Sequence, residues 1–342
     1  MNKPTVSIII ANYRGEQYLK ACLHSIFREK GAYEVIIVDS NSPDKSVALI
    51  KKYQLTKSNL HLLELDVNKG PTLARNVGAR KAKGNYLFFL DYDTTISPGW
   101  VLATKTFFEK NKKTACFQAK LIRRGTNNFD YAGDYLTPFG FLRERSRGTT
   151  DRGQFDRTEY IFSMKGAAMC VRKSVFKKIG GFDEDLEYMW EEPDLTWRMW
   201  MSGYEVRFNH TIRVEHAYVT EDKNKDYYRK GNVTYRGTRN SLSVILKNAD
   251  KRTLLTMVIP NVLSLLTLSF LFIISGEFHR GTAMVKGTFW NISHIQNTIR
   301  KRGEVQKKRS ITDNEIFTHV GVKNDLGYYL GKAVSYVRGK SF

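Results

Sequence analysis

Lys83–Asp93, KGNYLFFLDYD, is the stretch on which the reading of this 342-residue chain turns. Lys83-Gly84-Asn85 is a turn, and Tyr86-Leu87-Phe88-Phe89-Leu90 is apolar without a break. A run with no polar alternation reads as a strand buried on both faces, as in the middle of a parallel sheet. It ends on two carboxylates one residue apart, Asp91 and Asp93. In open α/β sheets ligands bind beyond the carboxyl ends of the strands. Paired carboxylates placed there suit a hard divalent cation that takes its remaining ligands from substrate phosphates.

Working outward, the first half of the chain alternates strands with helices. Val6–Ala11 reads as a buried strand, and Gln17–Phe27 has apolar residues at helical spacing. Glu34–Asp39 is a second apolar run ending on a carboxylate, followed by the turn Ser40–Asp44 and a helix to about Tyr53. Leu60–Leu65 reads as a weaker strand, and Pro71 opens a helix over Thr72–Ala82. Pro98 is expected to start another helix, to about Asn111, before a strand at Ala115–Ile122. Arg123–Arg157 is polar and rich in Gly and Arg, which suits a long loop or hairpin over the site. A strand ending at Arg172, a helix to Ile179, an acidic helix opening at Glu191-Glu192-Pro193-Asp194 and short strands at Tyr204–Phe208 and Thr211–Glu215 follow, ending near His216. This alternation predicts a doubly wound α/β sheet. No G-x-G-x-x-G follows the first strand and no G-x-x-x-x-G-K-[ST] occurs, so dinucleotide and P-loop readings lose their main support.

The opening MNKPTVSIIIANYRG reads as a strand and turn rather than a signal peptide. Cys22, Cys116 and Cys170 are odd in number and widely spaced, which predicts buried thiols in a reducing compartment. Net charge is +21, and about two-thirds of the excess falls after residue 223. So basic a chain raises the possibility of a nucleic-acid-binding protein, but no recognition motif is present and the charge flanks an apolar segment. No nucleic-acid partner is therefore expected. A sugar-1-phosphate nucleotidyltransferase would want a glycine-rich loop where Asn12-Tyr13-Arg14 stands. An inactive binding module is disfavoured by the intact acidic residues.

Taken together, several blocks resemble family 2 glycosyltransferases of the GT-A type. They are VSIIIANYRGEQYLKACLHSIF, EVIIVDSNSPDKS, NKGPTLARNVGARKAKGNYLFFLDYD and GGFDEDLEYMWEEPDLTWRMWMSGY, in the family's order over about residues 5–220. The resemblance implies a Rossmann-like, mostly parallel sheet flanked by helices, with a catalytic domain at 1–222 and a helical, membrane-associated extension at 223–342. It implies an inverting transfer of a sugar from a nucleotide-sugar donor to a hydroxyl of a lipid-linked or cell-surface glycan, assisted by Mg²⁺ or Mn²⁺. Asp93 is the first choice for direct metal ligand, and Asp91 contacts the ribose or a metal-bound water. His216 either completes the metal site or is structural. Asp39 corresponds to the residue that hydrogen-bonds the nucleotide base, or it is a helix cap in the Ser/Asn/Ser turn, or both. Ala11 and Tyr13 supply backbone contacts and a ring surface for the base. Arg75 either reaches the diphosphate or forms a surface salt bridge. The family's Glu-Asp-x-Asp-Leu motif, laid on Glu191–Leu195, puts Glu192 where the catalytic aspartate stands. Glutamate carries one more methylene than aspartate, and the helix N-terminus favours an anionic side chain there. Glu191 and Asp194 are the fallback candidates, Asp194 as the more structural.

The tail KGTFWNISHIQNTIRKRGEVQKKRSITDNEIF is similar to the C-terminal region of membrane-associated rhamnosyltransferase-like members. Thr253–Gly276 is about 24 uncharged residues, about 36 Å as a helix and long enough to span a bilayer. Both its flanks are basic, and a single crossing would export one cluster against the positive-inside tendency. A re-entrant or interfacial helix, or a hairpin with Gly281–Ile299, keeps both clusters on one side; the alternative is a buried soluble helix. The expected location is the cytoplasmic face of the cell membrane.

Overall fold

The computed structural model describes residues 4–146, 148–217 and 232–322. The apolar run forms β4 (Tyr86–Asp91), with Leu87 through Leu90 at most 1% exposed. Successive side chains of a strand point to opposite faces, and both faces here are covered. Phe88 packs edge-on against Trp100 and Phe117, whereas Phe89 meets Phe176 and Phe182 at 5.6 and 5.5 Å between ring centroids.

Nine strands make one sheet around β4. Its order is β3 (Leu60–Glu64), β2 (Tyr33–Asp39), β1 (Val6–Asn12), β4, β10 (Ala168–Arg172), β6 (Thr114–Arg123), β11 (Glu205–His216) and β5 (Thr94–Ile96), with β7 (Phe129–Tyr131) paired to β6. The expected parallel character holds from β3 to β4 and again between β6 and β11; β10 runs antiparallel to both its neighbours, and β5 is antiparallel to β11. The sheet is therefore mixed. The parallel register sets Asp39 opposite Asn12 and Asp91 opposite Ala11. The carboxyl ends of three strands thus share one edge.

The covering helices are α1 (Glu16–Phe27), α2 (Ser46–Gln54), α3 (Pro71–Lys81), α4 (Trp100–Lys110), α5 (Lys173–Ile179) and α6 (Glu191–Met201). The helix expected from Pro98 begins at Trp100, because Gly99 turns left-handed at φ +90°. The two final strands expected separately are one, β11, with a register shift between Asn209 and Arg213. There Asn209 Oδ1 accepts from Thr211 N and Oγ1 at 3.1 and 2.8 Å, a local turn that reads as a break in sequence. The polar stretch after Arg123 contains β7, β8 (Asp134–Leu136) and β9 (Leu142–Glu144), and is pinned by Lys120, which bonds Asp151 and Asp156. All three cysteines are free and buried.

The backbone divides into two compact units. The first is Met1–Asp134, Glu144–Trp200 and Tyr204–Val219, and holds the sheet. The second is Tyr135–Arg143, Met201–Gly203 and Thr220–Phe342. It carries α7 (Asn232–Asn248), α8 (Lys251–Ile274), α9 (Phe278–Ser293), α10 (Ile295–Gln306) and α11 (Asp313–Val320). The boundary expected at 222/223 lies outside the described residues. Asp250 caps α8, its Oδ1 accepting from Thr253 N at 2.8 Å, and Asp313 Oδ2 accepts from Asp250 N at 2.6 Å. Deep in the sheet, Phe88→Ala is expected to cost about 3–5 kcal/mol. Denaturant unfolding checks this, and a loss below about 1 kcal/mol would contradict the two-sided burial of β4.

Candidate active site

β4 delivers Asp91 to the carboxyl edge of the sheet, and the turn after it carries Asp93. The Asp93 carbonyl accepts from Ala217 N at 3.0 Å and from Arg124 Nη2 at 2.9 Å, so this turn is held from two sides. The pairing of β11 with β5 sets His216 opposite Thr94. His216 Nε2 thereby lies 3.3 Å from Asp93 Oδ1, and Nδ1 lies 2.9 Å from Asp130 Oδ2. Burial alone would lower the His216 pKa, but its bonds to Asp130 and Asp93 outweigh that and push it up to about 10. Asp130 is fully buried, with Lys165 Nζ at 3.7 Å. A carboxylate on the far ring nitrogen fixes the tautomer and orientation of a ligating histidine.

Asp91, Asp93 and His216 each offer a ligand atom, all within 4.8 Å of one another. Small side-chain adjustments would let these three residues hold one divalent cation together. Two hard carboxylate oxygens with one imidazole nitrogen make a donor set that a divalent cation fits. The three candidate ligands from the sequence are thus brought together.

Opposite them stands α6. Arg75, buried on α3, donates from Nη2 to Asp91 Oδ1 and from Nη1 to Glu191 Oε1 and Glu192 Oε1, each at 3.2 Å. Its guanidinium bonds three carboxylates from a buried position, which differs from the surface salt bridge expected as one reading of this residue. Glu192 Oε1 also accepts from Gly166 N at 2.8 Å. A Cβ at Gly166 would fall 2.2–2.6 Å from the Arg75 guanidinium, so only glycine leaves room for it. The Glu191 side chain is 4% exposed and that of Glu192 14%. Burial, then the neighbouring Glu192 charge, push the Glu191 pKa up to about 8 against the pull of Arg75. Asp194 is fully buried and pairs with Arg198 at 2.8 Å, while Arg198 donates to the carbonyls of Ile179 and Gly181. That fastens α6 to the end of α5 and makes Asp194 structural. Glu187, Met189 and Trp190, just before α6, hold left-handed φ of 54°, 72° and 70°. Such angles in bulky residues store strain, which clusters at functional sites.

At the other end of this edge Asp39 is 1% exposed. It accepts from Asn12 Nδ2 at 2.6 Å and from Ser42 N and Oγ at 2.9 and 2.7 Å. These bonds close the turn rather than cap α2, where Lys45 stands at the N-cap without a side-chain cap bond, and Asn12 is a partner that strand periodicity did not mark. Ala11 and Tyr13 flank Asn12 and are half-buried, with the Arg14 guanidinium 5.3 Å from the Tyr13 ring centroid. Tyr92, between the two aspartates, closes over Gly15, where a Cβ would meet its ring at 3.0 Å.

Sequence reasoning missed Asp130, Gly166 and Asn12. None sits in a periodic or spaced pattern, and each matters through a contact made by distant chain. The Glu191 shift has a consequence for stability. Between its ordinary value of 4.5 and about 8, folded Glu191 holds a proton that the unfolded chain has released. The unfolded state then binds fewer protons, so stability falls as pH rises through that window. Glu191→Gln is expected to flatten this fall, seen as a smaller drop in Tm from pH ~5 to ~8 than in the wild type. Parallel Tm profiles would contradict the assignment.

Comparison with known proteins agrees with this geometry. The model of Glycosyl transferase family 2 matches residues 7–180, just over half the chain. An uncharacterized glycosyltransferase of Haemophilus influenzae is 37% identical over 101 residues, 28% of this chain and 39% of that protein. Poly(ribitol-phosphate) beta-N-acetylglucosaminyltransferase TarS of Staphylococcus aureus is 30% identical over 109 residues, 31% of this chain and 19% of that one. These matches span well under half the length of the curated relatives. Among solved structures, GalNAc-T7 with UDP, GalNAc and Mn²⁺ has a TM-score of 0.58 at 19% identity, covering 72% of this chain and 49% of that one. S. aureus TarS 1–349 in complex with UDP-GlcNAc also has a TM-score of 0.58, at 16% identity, covering 99% and 93%. These likenesses extend to the fold, and the match over residues 7–180 shows that the chain belongs to glycosyltransferase family 2.

Proposed function

We propose that this chain is an inverting, metal-assisted glycosyltransferase that moves a sugar from a nucleotide-sugar donor to a hydroxyl of a lipid-linked or cell-surface glycan. One observation carries the reading. Arg75 gathers Asp91, Glu191 and Glu192, while Asp93 and His216 converge beside Asp91 at the carboxyl edge of the sheet. In support, the solved relatives GalNAc-T7 and TarS are in complexes with UDP and Mn²⁺ or with UDP-GlcNAc. Several curated relatives bear the names of teichoic or teichuronic acid enzymes, which suggests a cell-wall glycan acceptor and a membrane-proximal place.

Asp91, Asp93 and His216 would hold the cation, whose chemistry is to neutralise charge on a departing diphosphate. The nitrogen donor inclines the site to Mn²⁺ over Mg²⁺. Ala11, Tyr13 and Asp39 lie at the strand ends where the base would be received. Glu192 takes the acceptor hydroxyl proton as that oxygen bonds to the anomeric carbon and the bond to the diphosphate oxygen breaks. Glu192 suits this role better than Glu191 because it is the more exposed of the two, and burial keeps Glu191 protonated near neutral pH. Arg75 and Gly166 N hold the Glu192 carboxylate in place. In this reading the first unit performs the transfer, and the apolar, basic second unit keeps the enzyme at the cytoplasmic membrane face. The similarity of its tail to rhamnosyltransferase-like members supports that placement.

Two substitutions test the roles. Glu192→Gln is expected to leave donor affinity nearly intact and cut kcat by at least ~10². A near-normal kcat there, with collapse in Glu191→Gln, would move the base one residue back. Asp93→Asn is expected to abolish metal-dependent donor binding with the fold intact, since it removes one anionic ligand. Full wild-type activity after exhaustive chelation would refute the metal assignment.

A further inference from the structure

α8 has two unlike faces. Thr253, Met257, Asn261, Leu265, Ser269 and Phe272 form a buried stripe at helical spacing. Leu255, Ile259, Leu263, Phe270 and Ile274 form the opposite face, each between 59% and 76% exposed. The exposed apolar residues continue as Phe278, Phe289 and Ile292 on α9 and Ile295 and Ile299 on α10. So much exposed apolar surface on neighbouring helices marks an interaction site rather than ordinary surface.

Length and composition alone allow α8 to cross a bilayer. The buried stripe argues against a crossing. Asn261, the eleventh of the 24 residues of α8, donates from Nδ2 to the Phe139 carbonyl at 2.7 Å. Phe139 lies in a turn closed by Thr137 N to Phe141 O at 2.9 Å, within the same unit. A spanning α8 would carry this non-helical backbone, in which Pro138 is exposed, to mid-bilayer depth, where lipid-exposed irregular loops do not occur. Ser269 Oγ donates to the Gly281 carbonyl at 2.8 Å, tying the second half of α8 to α9. One face of α8 therefore belongs to protein along its whole length, and only the other is free for lipid.

Charge identifies the occupant. Between residues 251 and 309 there are ten Lys and Arg against two Glu. Exposed Lys251 and Arg252 open the helix whose free face begins at Leu255, and exposed Lys286, Lys307 and Lys308 follow on α9 and just after α10. An apolar face rimmed by cations fits the boundary between acyl chains and anionic headgroups. We propose that the exposed face of α8, α9 and α10 lies half-immersed in the plane of an anionic lipid surface and that α8 does not cross it. This rests on the membrane reading above and specifies its mode.

The test uses the purified full-length chain with preformed phosphatidylcholine vesicles, with and without phosphatidylglycerol. Flotation with phosphatidylglycerol vesicles is expected, weakening as salt rises. The combined variant Leu255→Ser, Ile259→Ser and Leu263→Ser is expected to lose at least about 100-fold in vesicle partition with Tm little changed, because these side chains are mostly exposed. Arg252→Cys and Ser275→Cys, at the two ends of α8, are expected to react with an impermeant thiol reagent from the same side of the cell membrane. Reaction from opposite sides would overturn the in-plane mode and leave the membrane reading standing. Flotation of the triple variant equal to wild type would overturn the assigned face. A wild type that ignores both vesicles, whether monomeric or with the face covered by a second copy, would overturn the proposal together with the membrane reading.

Discussion

One buried guanidinium is set against three carboxylates. Arg75 bonds Asp91 from a strand end and Glu191 and Glu192 from a helix start, all at 3.2 Å. Burial disfavours its charge, yet the carboxylates raise its pKa above the ordinary arginine value. Removing one partner from a buried ion pair costs about 3–5 kcal/mol, because the remaining charge is left uncompensated. Here one cation serves three carboxyl groups, and even with Glu191 protonated near neutral pH they leave the site a surplus of negative charge. Asp93 and Asp130 add to it, offset in part by His216 and Lys165. A surplus of this sign suits a divalent cation, which would in turn offset the charge of a leaving diphosphate.

The strand ends do the placing. Parallel pairing of β2, β1 and β4 aligns Asp39, Asn12 and Asp91 along one edge, and the β11 pairing with β5 brings His216 to Asp93. The switch at β10 to antiparallel brings its preceding residues, Gly166 among them, to the carboxyl end of β4, as Asp91 N to Ala167 O at 3.4 Å shows. Glu192 then finds a backbone donor, and Arg75 finds the space that the missing Cβ leaves.

Elements defined by local periodicity were legible in the sequence. β4 announced itself as an unbroken apolar run, and the pair Asp91 and Asp93 at its end carried its own chemistry. His216, placed by resemblance at the end of the last strand, arrives beside them. What was not legible depends on chain far away. The direction of β10 follows from its neighbours and not from the residues Ala168–Arg172. Asp130 lies in a Gly- and Arg-rich stretch with no period, and its meaning comes from a histidine 86 positions later. For Arg75, sequence could offer two roles, and neither foresaw that Gly166 and α6 close around it. The length and apolarity of α8 were plain, but its buried stripe, with Asn261 at the middle, depends on packing against Phe139 and α9, which lie elsewhere in the chain.

The central claim is that this carboxylate-rich edge receives a divalent cation with a nucleotide sugar. The direct measurement is a panel of UDP-, GDP- and dTDP-sugars, screened for nucleoside diphosphate release with Mn²⁺ present and after chelation. The account predicts that at least one donor is turned over, that Mn²⁺ is required, and that the corresponding nucleoside diphosphate binds only with the metal. If no donor in the panel is turned over and no nucleoside diphosphate binds in a metal-dependent way, the account is wrong.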